Sequence, residues 1–243
     1  MDVIGVIPAR FGSSRFEGKV LADLNGKPLI QHVWERAKKS KLLDDLIVAC
    51  DDEKVFKVVE RFGGKAVLTS KQHQSGTDRI TEVVNPIDVK IVVNIQGDEP
   101  LLHPSMIDDV ANVLLSDNTV SVATIIKKIE HQEEINNPNV VKVVFDKNFF
   151  ALYFSRYAIP FVRDEEPGQV IHYKHIGLYA YTKDFLFTYK NLSPSNLEKL
   201  EMLEQLRILE NGYKIKVVET KFETVGVDTE SDLEKVRQLL SDI

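Results

Sequence analysis

With 243 residues and 43% hydrophobic content, the chain is long enough for one α/β domain to bury a sizeable core. Its formal charge of -6, from 37 acidic and 31 basic residues, argues against an extended basic surface for nucleic acid. One cysteine, Cys50, excludes an internal disulfide and a multi-cysteine zinc site, and no apolar run reaches membrane-spanning length.

The opening segment MDVIGVIPAR has no basic stretch followed by a long apolar run, so neither export nor membrane insertion is expected and the cytoplasm is the expected compartment. VIGVI at 3–7 predicts a strand covered on both faces. It runs straight into the loop PARFGSSRFEGK at 8–19. There Arg10, Arg15 and Lys19 offer charge, Ser13 and Ser14 offer hydroxyls, and Gly12 and Gly18 let backbone N–H groups approach a ligand. These are parts for holding a polyphosphate, although a solvated basic loop has the same composition. Neither the P-loop nor the dinucleotide fingerprint is present. Pro28 then opens a helix whose Leu29, Ile30, Val33, Trp34 and Ala37 share one face.

LIVA at 46–49 and KAVL at 65–68 predict two further strands, separated by a helix over 52–62 that Gly63 and Gly64 close. KIVVNI at 90–95 predicts the next strand and delivers Gln96, Gly97, Asp98 and Glu99 to the sheet edge that carries the 8–19 loop. An ionised Asp98 there needs a partner. Mg²⁺ on a nucleotide's phosphates is a natural one, because this ion takes one or two carboxylates together with phosphate oxygens and water. The β-α-β-α-β order predicts an α/β fold: a mainly parallel sheet, helices on both faces, and a ligand crevice at the carboxyl ends of the strands.

After Asn139 the period changes. VVKVVFD and FFALYFS flank a turn at 146–148, predicting an antiparallel hairpin that covers the cleft. IGLYAY at 176–181 predicts a strand, and His172 and His175, three apart, point to opposite faces of it and form no zinc chelate. A helix over 195–209 puts Glu201, Glu204 and Gln205 on one stripe, which is either solvated or offers acceptors to a sugar. KIKVVE at 214–219 predicts a strand and 229–240 a final helix, before which Asp228 of GVDT is either an N-cap or a second metal ligand.

Taken together, PARFGSSRFEGK, HQSGTDRI, NIQGDEP, VKVVFD, ALYFSR, KHIGLYAY, LEKLEMLEQLRILENG and GVDTESDLEKV resemble the 3-deoxy-manno-octulosonate (Kdo) cytidylyltransferases over essentially the whole chain. The resemblance implies a single nucleotide-diphospho-sugar transferase-like domain over 1–243. Within it, 1–125 would mainly bind CTP, and 126–243, with its β-hairpin, would mainly bind the sugar and a second copy in a homodimer. It implies transfer of CMP from CTP to Kdo, with Mg²⁺ as cofactor, for the inner core of lipopolysaccharide. By motif it puts Arg10, Ser13, Arg15, Lys19, Ser75, Arg79 and Gln96 around the nucleotide, and Asp98 and Asp228 on the metal. Lys19, Asp98 and Asp228 carry catalysis, and Gln96, Arg156, His175, Tyr179, Glu204 and Gln205 surround the sugar.

One departure is visible: Glu17 and Val20 stand where the family's loop carries prolines, which predicts a looser loop. Other acidic sugars stay open, namely 8-amino-Kdo and an N-acylneuraminate, with ALYFSR and EMLEQLR favouring Kdo over the latter. An NAD-dependent oxidoreductase lacks its glycine fingerprint here, and a non-catalytic nucleotide sensor has no need of the two aspartates.

Overall fold

Successive side chains of the first strand go to opposite faces: Val3, Ile7 and Ala9 join one apolar cluster, and Ile4 and Val6 join another. Burial on both sides is why this segment is a continuous apolar run, and it places the strand in the middle of a sheet. The computed structural model of the chain describes residues 1–12, 16–73, 75–163 and 170–241.

In chain order, β1 (Val3–Ala9) leads through a 3-10 turn (Lys19–Leu21) and the short ladder of β2 (Asp23–Leu24) and β3 (Lys27–Pro28) to α1 (Leu29–Ala37). Then come β4 (Asp45–Cys50), α2 (Glu53–Arg61), β5 (Lys65–Leu68), α3 (Gly76–Val84) and β6 (Ile91–Asn94). They are followed by α4 (Pro104–Ser116), β7 (Val122–Lys128), α5 (Gln132–Asn136), β8 (Lys142–Phe145), β9 (Ala151–Ser155) and β10 (Tyr173–Thr182). The described chain ends with α6 (Lys183–Asn191), α7 (Asn196–Glu201), α8 (Leu206–Glu210), β11 (Lys216–Glu219) and α9 (Glu230–Ser241).

Among the described residues the main sheet has nine strands, with the path β11-β7-β10-β6-β1-β4-β5 and β8 and β9 joined beside β10. β6, β1, β4 and β5 are parallel neighbours, as the apolar runs predict. β10 enters antiparallel between β6 and β7 and makes the sheet mixed. Helices α1, α2, α4 and α9 bury Ile30, Val59, Met106 and Val236 on one face, while α3, α6 and α8 bury Ile80, Leu186 and Ile208 on the other. No helix among the described residues is long and apolar enough to cross a membrane.

Two expectations need correction. The predicted helix over 195–209 breaks: Met202 adopts the left-handed conformation (φ 53°), so α7 stops at Glu201 and α8 starts after Gln205. Local propensity favours one helix, but the turn at Met202 interrupts it, with Leu203 and Leu206 buried after the turn and Leu200 and Met202 left exposed. The predicted hairpin exists as β8 and β9, but β8 is paired to β10 and no residue of either strand lines the cavities described below. It extends the sheet and does not cover the cleft.

Candidate active site

β1 and β6 are adjacent and parallel, so the loops leaving their carboxyl ends emerge side by side. Gly97 permits that approach, because a Cβ there would stand 2.9 Å from the Pro8 carbonyl oxygen. Gly18, with φ 68°, turns the chain into the 3-10 turn that begins at Lys19.

Across this junction Lys19 Nζ donates to Asp98 Oδ2 at 2.6 Å, to the Val227 carbonyl at 2.9 Å and to Asp228 Oδ1 at 3.0 Å. Burial works against the ammonium, yet the charges of Asp98 and Asp228 outweigh it and raise its pKa above the ordinary lysine value. Val227 N donates to the Asp98 carbonyl at 2.9 Å, docking the turn at 226–229 on the loop at 95–100. Asp228 is not the cap of α9: Thr229 is, its Oγ1 accepting from Asp232 N at 3.2 Å, and Asp232 Oδ2 in the first turn accepts in return from the amides of Asp228 and Thr229 at 3.1 and 2.9 Å. Beside the pair, burial first and the charge of Asp98 second lift the Glu99 carboxyl to about 8, so it is protonated at neutral pH.

Two carboxylates from distant parts of the chain therefore converge on one cationic position. Among the described residues, no set of three or more His, Cys, Asp or Glu side chains is arranged to hold an ion. Two carboxylates fit Mg²⁺, which completes its shell with phosphate oxygens and water, and do not fit a metal that needs an all-protein cage.

A cavity of about 310 Å³ opens beside this cluster, with Arg10, Lys19, Ser75, Arg79, Gln96 and Asp98 in its wall. Ser75 caps α3, its Oγ accepting from Asp78 N at 3.1 Å. Arg79 is only 4% exposed, and its guanidinium is held by Thr69, the Ser70 carbonyl and Asp51, so it stands in the wall as a fixed charge. Asp51 also accepts from Phe11 N at 2.9 Å and so ties the end of β4 to the start of the 8–19 loop. Asp51 was not singled out from sequence, although its place directly after an apolar strand was the available signal. His73, which lines the cavity and pairs with Glu82, carried no such signal. Ser13 and Arg15 lie outside the described residues. Val20, at 3% exposure, is built into the core, so the stretch after Gly18 is anchored where a looser loop was expected. Glu17 is exposed.

A second cavity of about 230 Å³ shares Gly76, Gln96 and Glu204 with the first. His175, Tyr179 and Gln205 line it as expected, together with Tyr181 and Tyr189, which sequence did not single out. β10 supplies three of these aromatic rings, and its register against β7 slips between Ile176 and Tyr179. That irregularity leaves Gly177 and Leu178 unpaired with β7 and re-aims the strand at the cavity. Gln205 is 7% exposed, and its Nε2 has no hydrogen-bond partner among the described residues. Tyr189 Oη donates to the Glu204 carbonyl at 3.0 Å and steadies the same turn. Burial pushes His175 down to about 3, so it brings a hydrogen bond and no charge; its Nε2 lies 3.0 Å from Thr124 Oγ1.

Arg156 does not join the others. Its Nε donates to the Glu201 carbonyl at 2.7 Å, its Nη1 donates to the Pro138 carbonyl at 2.9 Å, and it lines neither cavity. β9 ends beside α7, so Arg156 reaches the outer side of the 201–205 turn and braces it. Glu201 also leaves the expected stripe: its carboxylate accepts from Ser155 Oγ at 2.6 Å and from Arg156 N at 2.8 Å.

The profile of the cytidylyltransferase family matches residues 4–215. The chain is 52% identical over 241 residues to the 3-deoxy-manno-octulosonate cytidylyltransferase of Syntrophus aciditrophicus (strain SB), covering 98% of this chain and 97% of that protein. It is 49% identical over 249 residues to the enzyme of the same name from Geotalea uraniireducens (strain Rf4), covering 99% of both. Among solved structures, CMP:2-keto-3-deoxy-manno-octonic acid synthetase complexed with CTP superposes with a TM-score of 0.94 at 43% identity, covering 100% of this chain and 99% of the other.

Proposed function

Because the chain belongs to the 3-deoxy-manno-octulosonate cytidylyltransferase family, we propose that its adjoining cavities transfer CMP from CTP to Kdo, releasing pyrophosphate. The observation that carries this reading is the shared wall. A cavity bounded by cations and two aspartates meets a second, aromatic and amide-lined cavity at Gln96 and Glu204, so two substrates can touch there.

The sugar's anomeric hydroxyl attacks the α-phosphorus of CTP in line and gives up its proton to solvent, while the bond from the α-phosphorus to the bridging oxygen breaks and pyrophosphate leaves. No covalent enzyme intermediate is needed, so the protein contributes orientation and charge stabilisation. Arg10, Lys19 and the fixed Arg79 offset the triphosphate's charge. Gln96 sits at the junction of the two substrates, and Gln205 Nε2, Tyr179 and the neutral His175 orient the sugar through hydrogen bonds. Asp98 and Asp228 would hold Mg²⁺, which when bound would supply Lewis-acid polarisation of the phosphate oxygens.

The enzyme works in the cytoplasm, where CTP is made, and its product feeds lipopolysaccharide inner-core synthesis. It forms a homodimer through the apolar side chains of Leu152, Tyr157, Phe161, Leu200 and Met202, whose exposures run from 62 to 86%. Exposed apolar side chains that large favour burial against a second copy. The test of the reaction is pyrophosphate release that requires CTP, Kdo and Mg²⁺ together. Release with CTP alone contradicts the proposal, and so does release with N-acetylneuraminate in place of Kdo.

A further inference from the structure

Glu99 follows Asp98 directly, yet no step above uses it. Its Oε2 is shut off from solvent and has no hydrogen-bond partner among the described residues. The carboxyl lies against Gly226, where a Cβ would stand 3.2 Å from Oε1. One residue later, Val227 N donates to the Asp98 carbonyl at 2.9 Å and the Val227 carbonyl accepts from Lys19 at 2.9 Å. Asp228 comes next, 3.0 Å from the same ammonium.

The segment that delivers Asp228 therefore rests on a glutamate side chain at one end and a backbone hydrogen bond at the other. Residues 221–228 belong to no helix or strand, so no regular ladder holds Asp228 at its distance from Asp98. We propose that Glu99 is a positioning residue, whose carboxyl pins residues 224–228 to the 95–100 loop and thereby sets the separation of Asp98 and Asp228. Gly226 is the matching half of the device, since a methyl group there pushes directly on the carboxyl. The catalytic consequence rests on the metal role given above to the aspartate pair; the pinning itself does not.

Amide hydrogen exchange, thermal unfolding and Mg²⁺ titrations of turnover on wild type, Glu99→Gln, Glu99→Ala and Gly226→Ala test this. Glu99→Ala and Gly226→Ala are expected to speed exchange across 224–228, with β1 and β4 unchanged, because loss of a local brace opens only the unit it holds. The same two variants raise the Mg²⁺ needed for half-maximal turnover roughly tenfold, the size typical of lost outer-shell support, and leave the KM for Kdo unchanged. Glu99→Gln keeps the shape that packs against Gly226 and stays close to wild type on both readouts. Unchanged exchange across 224–228 in Glu99→Ala overturns the proposal, and so does a Glu99→Gln variant as disturbed as Glu99→Ala. If Glu99→Ala fails to fold, Gly226→Ala decides by the same criteria. A wild type indifferent to Mg²⁺ contradicts the metal reading instead, and the exchange result then decides the pinning by itself.

Discussion

Lys19 and Asp98, 79 residues apart in sequence, are joined at 2.6 Å, and the same ammonium reaches Asp228 at 3.0 Å. The lysine balances the two carboxylates that the proposed reaction assigns to Mg²⁺. Two demands thus meet on one side chain: it must leave room for the ion and also serve the triphosphate.

Lys19→Met keeps most of the side-chain volume and removes the charge. Loss of a charge-assisted contact costs about 1.5–3 kcal/mol, so kcat/KM for CTP falls roughly tenfold to a hundredfold. The variant also leaves two carboxylates facing each other, which lowers its melting temperature in the absence of metal. Mg²⁺ alone then stabilises Lys19→Met more than wild type. Equal Mg²⁺ stabilisation of the two proteins contradicts the shared cation position.

Asp98→Asn and Asp228→Asn retain shape but give Mg²⁺ one charged ligand fewer. Each lowers kcat by roughly a hundredfold or more, because in the proposed reaction a metal at this pair is worth several kcal/mol of charge stabilisation. Circular dichroism checks that the fold survives. Retained activity with unchanged Mg²⁺ dependence in both variants removes the metal pair from the mechanism.

Gln205→Leu deletes the unpartnered buried donor without opening a large void. The KM for Kdo rises about tenfold, in line with ~1–3 kcal/mol for a buried hydrogen bond, while CTP affinity is unaffected. Arg156→Ala acts through the 201–205 turn it braces, so it lowers the melting temperature as well as raising that KM. A Gln205→Leu enzyme with wild-type KM for Kdo shows that the second cavity does not hold the sugar.

His175 gives stability a pH dependence of fixed sign. Its folded pKa, about 3, lies below the ordinary 6.5, so between those values the unfolded chain binds a proton that the folded chain refuses. This contribution is fully present above about pH 6.5 and is lost as pH falls toward 3. Glu99, lifted from 4.5 to about 8, has the opposite sign, its contribution being lost as pH rises through that window. Glu99 is common to wild type and His175→Gln, so the difference between their melting temperatures isolates the histidine. That difference shifts in favour of His175→Gln between pH 6.5 and 4.5, and parallel profiles contradict a neutral, enclosed His175.

Much of the site is legible in sequence because it hangs on strands buried on both faces. VIGVI and KIVVNI mark β1 and β6, and whatever follows such strands gathers at one edge, so Arg10, Lys19, Gln96 and Asp98 come together as expected. Asp228 is harder, since GVDT before a helix looks like a cap; the structure gives that work to Thr229, and Asp228 meets Lys19, 209 residues away in sequence. The turn at Met202 is hidden because EKLEMLEQLR has strong helix formers throughout, and nothing in its local sequence marks a left-handed residue there. The place of Arg156 is hidden for a related reason: its position beside α7 depends on where that helix stops.

The central claim is the chemical identity of the product. CTP, Mg²⁺ and an equimolar mixture of Kdo, 8-amino-Kdo and N-acetylneuraminate should be incubated with the enzyme and the products identified by mass spectrometry. The account predicts CMP-Kdo as the main sugar nucleotide, with one pyrophosphate released for each CMP transferred. CMP-N-acetylneuraminate as the main product, or CTP consumed with no sugar nucleotide formed, contradicts it.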